Sequence, residues 1–259
     1  MSLFAWLFEF DALSAAHRSM LLLHISTALG ALTLGPVAML ARKGRERHRL
    51  WGRVYVYLMI VTNLAALVLL FWRWNTFLFG ITALAFYAVV TGYRGMQRPQ
   101  VQTDPKREVP SVTWFDWVFA TAAAGAGALL FWLAAQNLFG AWRADSASTR
   151  GVALLVATLA LTFGGFIANA VVEDVRRFVS KRRRAETPWV YHLNRMVGSY
   201  TALVTAFLVQ RADIFVPDEA LLVLFIAPSL LALPLIRLWE RRHRHKLQPK
   251  YNVPKHLPD

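Results

Sequence analysis

The 259-residue chain is 56% hydrophobic yet carries a formal charge of +14, with a mean hydropathy of +0.39. The absence of cysteine excludes disulfides, thiolate catalysis, iron–sulfur clusters and Cys-based zinc sites. Stretches apolar enough for a ~30 Å hydrocarbon layer, which takes about 20 helical residues, fill more than half of the sequence and leave no room for a separate soluble domain.

In chain order, the opening MSLFAWLFEFDAL is apolar but acidic, and it lacks the basic start and small-residue cleavage site of a secretory signal. Residues 1–18 therefore read as a segment lying on the outer leaflet. Seven spans follow, over roughly 19–40, 51–72, 76–95, 115–138, 151–172, 190–210 and 219–238, so residues 19–238 form one transmembrane domain. A tight basic turn joins the first two spans into an antiparallel hairpin. The connection 96–112, with Pro99, Pro105 and Pro110, reads as a cytoplasmic loop, whereas the link 139–150 and the short RADIFVPDEA turn are expected outside. TAAAGAGA in span four and FGGFIANA in span five offer small side chains for close helix approach in lipid. Residues 239–259 form a basic tail.

Positive charge is concentrated on alternate connections. Arg42, Lys43, Arg45, Arg47, Arg49 and Arg53 lie between spans one and two. Arg94, Arg98, Lys106 and Arg107 follow span three, Arg176 to Arg184 follow span five, and Arg237 to Lys255 follow span seven. The opposite connections hold few arginines, together with Asp213, Asp218 and Glu219. By the positive-inside rule this predicts an all-α polytopic bundle of seven transmembrane helices, amino terminus outside and carboxyl terminus inside. The location of the charge argues for anionic lipid headgroups as partners and against nucleic acid. Trp51, Trp72, Trp74, Trp114, Trp117, Trp142, Trp189 and Trp239 fall near span ends, where indole prefers the headgroup level. A bacterial cytoplasmic membrane is the expected location.

Polar groups at membrane depth need a partner or a purpose. Of seven histidines, His243, His245 and His256 belong to the tail and His17 to the outer boundary. His24, His48 and His192 remain. His24 lies in the outer half of span one, on a face with Thr27, Ala31 and Gly35. His48 opens span two ahead of Gly52, Tyr55, Met59 and Asn63, and His192 opens span six ahead of Arg195, Met196 and Ser199. HRLWGRVYVYLM and HLNRMVGSYTAL thus share a faint echo: histidine, arginine, glycine, tyrosine.

Two imidazoles at one depth on different antiparallel helices would suit the axial positions of a b-type haem. His48 and His192 are the candidate ligands, with His24 near a second site, Tyr55 beside the first, and Arg53 and Arg195 as propionate partners. The alternative for these histidines is that they cap helix ends or hydrogen-bond across the bundle. A zinc site adding Glu173 or Asp174 lacks the paired H-x-x-x-H expected within one helix, and those acids can instead balance Arg176 and Arg177. Asn63 and Asn169 suit interhelical hydrogen bonds or a polar ligand. No phosphate loop, nucleophile elbow or dinucleotide fingerprint occurs.

LHISTALGALTLGP followed by HRLWGRVYVYLM resembles the bacterial membrane-protein family catalogued as domain of unknown function 2306, and WVYHLNRMVGSYTALVTAFLV is similar to that family's second signature. The resemblance covers about half the chain, implies a multi-pass membrane protein, and maps the family's signature histidines onto His24, His48 and His192. It carries over no activity. Three functional expectations follow. The first is a haem-binding or quinone-linked electron-transfer protein. The second is a non-catalytic subunit or assembly partner of a larger membrane complex, docking through spans four and five. The third is a small-molecule carrier around Asn63, Asn169 and His24.

Overall fold

The computed structural model describes residues 14–42, 45–97, 112–180, 188–211 and 221–247. The described residues are helical, with no strand, and form α1 Ala15–Leu40, α2 Glu46–Leu69, α3 Thr76–Gln97, α4 Trp114–Arg143, α5 Ala147–Val179, α6 Pro188–Gln210 and α7 Leu221–Leu247. Six of the seven are long and apolar enough to cross a membrane. The helix outside that set is α6, whose first half carries Tyr191, His192, Asn194 and Arg195.

Each helix overlaps one expected span and most run past its ends. The expected link 139–150 is largely helical: α4 continues to Arg143 and α5 resumes at Ala147. Ser146 makes this short turn workable, because its hydroxyl caps α5 by accepting from the Thr149 N–H at 3.1 Å. Likewise, α1 takes in residues 15–18 beneath a Ser14 cap, and α7 carries the first basic residues of the tail through Leu247. Hydropathy marks only the stretch that seeks hydrocarbon. Charged last turns stay helical because their backbone bonds are internal. The opening segment before Ser14, the proline-rich connection 98–111 and the basic run 181–187 lie outside the described residues.

The helices distribute over two units. In the first, containing α1, α2, α3 to Phe86, α6 from Tyr200 and α7 to Leu230, α1 meets α2 through Ala31, Gly35 and Ala38, all buried. Gly30 faces Leu58, and Gly35 lies under the Tyr200 ring, where a Cβ would sit 2.5 Å from two ring carbons. The Tyr200 hydroxyl donates to the Leu32 carbonyl at 3.0 Å, pinning that ring in place.

In the second unit, α4 and α5 meet along Ala120, Ala123, Gly127, Leu130 and Ala134 on one side, and Ala157, Ala160, Gly164 and Ile167 on the other, all buried. Gly127 lies against Ile167, and Gly164 against the Phe131 ring. Gly125 and Gly165 face open space. The small-residue runs of spans four and five therefore serve packing at alternate positions, as close approach in lipid demands. At the far end of this pair, Arg94 of α3 grips Asp116 of α4 with two bonds of 2.8 and 3.1 Å, while Asp116 completes a capping box with Thr113.

Large apolar side chains point outward along both units, among them Leu22, Phe71, Trp132, Leu155 and Phe166. A soluble protein would bury such a surface; in lipid it is the expected exterior. Trp72, Trp74, Trp114, Trp117 and Trp142 are exposed near helix ends, whereas Trp132 is exposed within α4.

Candidate functional site

The second unit contains a buried cluster of ionisable groups. On α5 the stripe Ala157, Ala160, Gly164, Ile167, Ala170 recurs every three or four residues as a buried face, and the next position on it is Asp174, which is 0% exposed. On α6, Pro188 opens the helix at the position where a missing N–H costs nothing, and Tyr191 and Arg195 follow one turn apart, both buried. Arg195 reaches α5: its Nη2 donates to Asp174 Oδ1 at 3.0 Å, to the Ala170 carbonyl at 2.9 Å and to Glu173 Oε2 at 3.4 Å. The Tyr191 hydroxyl donates to the same Asp174 oxygen at 2.7 Å. The guanidinium also lies over the rings of Tyr87 and Tyr191, at 5.4 and 5.1 Å from their centroids.

Glycines on α3 make this approach possible. A Cβ on Gly92 would stand 2.6 Å from the Arg195 Cβ, and one on Gly95 would stand 2.7 Å from the Tyr191 ring. His192 Nδ1 meets the Gly92 carbonyl at 2.9 Å. Two polar atoms of the cluster have no hydrogen-bond partner although they are fully enclosed: Asp174 Oδ2 and the Tyr87 hydroxyl. Tyr87 lies close enough to Asp174 for the two groups to interact directly, although neither orphan atom has a partner in full hydrogen-bond geometry. One orphan is an acceptor, and the other can donate as well as accept.

The first unit holds the other histidines singled out by sequence, with Arg53, Tyr55 and Asn63, while Asn169 belongs to the second. His24 Nδ1 meets the Thr62 carbonyl of α2 at 3.0 Å, and the Thr62 hydroxyl donates to Thr27 Oγ1 at 2.9 Å. His48 Nδ1 meets the Ala38 carbonyl at 2.8 Å, capping one of the last carbonyls of α1. A carbonyl only accepts, so in all three histidines Nδ1 is the donating nitrogen. Tyr55 is buried, its ring centroid 6.3 Å from that of Tyr200. Arg53 is exposed and bonds back to the Arg49 carbonyl. Asn63 is buried and donates to the Met59 carbonyl of its own helix, whereas Asn169 is exposed.

His192 and Arg195 thus belong to the second unit, and His24, His48, Arg53 and Tyr55 to the first. Among the described residues no three His, Asp or Glu side chains gather as metal ligands would, and Asp174 is engaged by Arg195 and Tyr191 instead of standing open beside a histidine. Sequence reasoning assigned Asp174 to its neighbours in the chain and passed over Tyr87 and Tyr191. The available signal was the buried period of α5, which Asp174 continues.

A profile for predicted membrane proteins, family DUF2306, matches residues 21–162, more than half of the chain. The chain belongs to DUF2306. No curated protein and no solved structure matches it. The DUF2306 match contains the first signature, with His24, His48 and Tyr55, and ends within α5. The second signature, with His192 and Arg195, lies beyond it. Tyr87 and Gly92 fall inside the DUF2306 stretch, while Asp174, Tyr191 and Arg195 fall outside. Membership makes the chain an integral membrane protein with several apolar helices.

Proposed function

We propose that this chain is a seven-span protein of the bacterial cytoplasmic membrane, amino terminus outside and carboxyl terminus inside, that binds the head group of a quinone-class carrier at the cluster of Asp174, Arg195, Tyr191 and Tyr87. The distribution of arginine between connections supports the orientation. The internal partners of Arg195 support α6 as the seventh span, because a guanidinium is tolerated at membrane depth when it is paired. Cysteine-scanning labels placed at Ser14 and at Gln248 test the orientation: only the first is expected to react from outside, and labelling of both ends from one side would overturn it.

The observation that carries the site is the pair of enclosed, unpartnered atoms, Asp174 Oδ2 and Tyr87 Oη. A quinone head group offers carbonyls when oxidised and hydroxyls when reduced. The carbonyl accepts from Tyr87, and the hydroxyl donates to Asp174. The reduced head group thereby matches both orphans and the oxidised one matches Tyr87 alone, so an unsatisfied buried group that otherwise costs about 1–3 kcal/mol is satisfied. Titrating the purified protein with a short-chain quinone analogue, read by tryptophan fluorescence, tests this. Tyr87→Phe removes one hydroxyl while keeping the ring under Arg195, and is expected to weaken binding about ten-fold. Unchanged affinity would mean that the two groups serve only each other.

A second reading, b-type haem, has one specific observation in its favour. At His24, His48 and His192 the Nδ1–H is donated to a main-chain carbonyl, the arrangement that orients metal-ligating imidazoles and raises their basicity. In this reading His48 in the first unit and His192 in the second would each offer Nε2 to an iron, with Arg53 and Arg195 as their respective propionate partners. Expression with added haem is expected to give a Soret band that disappears in His48→Ala and in His192→Ala. A colourless protein would dispose of it.

A further inference from the structure

The cytoplasm-facing end of α2 carries a row of cations that nothing in the cluster above uses. Arg45, Arg49 and Arg53 stand at every fourth position, followed by Tyr57 and then Leu64, and all five are exposed. At 3.6 residues per turn Arg45 to Tyr57 occupy about a third of the helix circumference, and the three arginines extend over about 12 Å. Among the described residues no carboxylate pairs with any of the three. Glu46 is the one acid in α2, and it lies one residue from Arg45 and Arg47.

The direction of the side chains sharpens the pattern. Helical side chains lean toward the amino terminus, and the Arg53 Nε donates to the Arg49 carbonyl at 3.3 Å, so its head group is drawn back a full turn. The guanidinium two turns inside the helix is thereby returned to the level of Arg49. Below it, Tyr57 is 60% exposed and Leu64 47% exposed. The face therefore changes from cationic to amphipathic to apolar in the direction that leads from headgroup to hydrocarbon.

We infer that this face of α2 is a binding site for an anionic phospholipid bearing two phosphates, with the phosphates held by Arg45, Arg49 and Arg53 and the acyl chains running past Tyr57 and Leu64. Charge complementarity selects the ligand. Three guanidinia within two turns suit two phosphates on one head group better than a single phosphate, because Arg takes phosphate oxygens two at a time. The inference rests on the membrane placement proposed above but not on the quinone site.

Native mass spectrometry of the detergent-solubilised protein after incubation with diphosphatidylglycerol, phosphatidylglycerol or phosphatidylcholine tests it. The expected result is retention of the two-phosphate lipid, weaker retention of the one-phosphate lipid, and no displacement by inorganic phosphate. Arg49→Gln and Arg53→Gln are each expected to weaken retention about five-fold, the effect of one arginine at an anionic surface. Arg47→Gln removes the same charge from the opposite face and is expected to leave retention unchanged. Equal loss in all three variants, equal retention of the neutral lipid, or displacement by inorganic phosphate would overturn the assignment. The quinone titration of the same variants is expected to match wild type, which separates failure of this site from failure of the other.

Discussion

Asp174→Ala is expected to destabilise the protein by roughly 3–5 kcal/mol, the cost of leaving a buried cation without its partner. Arg195 is 7% exposed, and the carboxylate oxygen at 3.0 Å is its principal counter-charge. Glu173 lies farther away, at 3.4 Å, with a side chain that is half exposed. That oxygen is therefore screened by solvent and compensates little. The double variant Asp174→Leu with Arg195→Met is expected to recover most of the loss, to within about 1 kcal/mol of wild type, because it removes both charges and their desolvation together. Thermal unfolding in mild detergent checks this. A double variant as unstable as Asp174→Ala would show that the pair is more than a balanced charge in the bundle. A recovered double variant that no longer binds the quinone analogue would show that the polar groups are retained for a ligand at no gain in stability.

Gly92→Ala should cost about 1–3 kcal/mol, whereas Gly52→Ala should be neutral or stabilising by up to about 1 kcal/mol. Both glycines are inside helices, and helix propensity alone predicts that alanine improves each. The surroundings decide otherwise for Gly92, where the added carbon would meet the Arg195 Cβ at 2.6 Å and Met196 Cε at 2.9 Å. The first of these is fixed to the α6 backbone and has no rotamer to adopt. Relieving the clash means separating α3 from α6, which also stretches the bond from His192 to the Gly92 carbonyl. Around Gly52 there is nothing within 4 Å. Paired unfolding curves for the two variants check this, and equal effects would refute the close crossing of α3 on α6.

The echo between HRLWGRVYVYLM and HLNRMVGSYTAL shows how far pattern reading reaches. Both histidines donate through Nδ1 to a carbonyl of another helix, and both glycines, Gly52 and Gly198, face open space. The tyrosines, Tyr55 and Tyr200, lie within ring contact of one another. The arginines diverge: Arg49, which precedes Gly52 as Arg195 precedes Gly198, is exposed on α2, while Arg195 is buried against Asp174. The matching letters thus occupy similar local settings for three residues of four. The fourth depends on what the neighbouring helix presents, and α5 presents a carboxylate.

Hydropathy was enough to make the described residues helices, six of them long and apolar enough to cross a membrane, because each apolar run must close its own backbone hydrogen bonds in lipid wherever its neighbours lie. The same local rule placed the glycine-rich faces of α4 and α5, but not the start of α5 at Ala147 beneath its Ser146 cap. Partnership was another matter. That Asp174 answers Arg195 across twenty-one positions of chain, that Gly92 and Gly95 clear the path for α6, and that Tyr87 and Asp174 each keep an unmatched polar atom are facts of helix rotation and distance. An ionised side chain looks the same in sequence whether it faces headgroups or a buried counter-charge, and only the assembled helices distinguish the two.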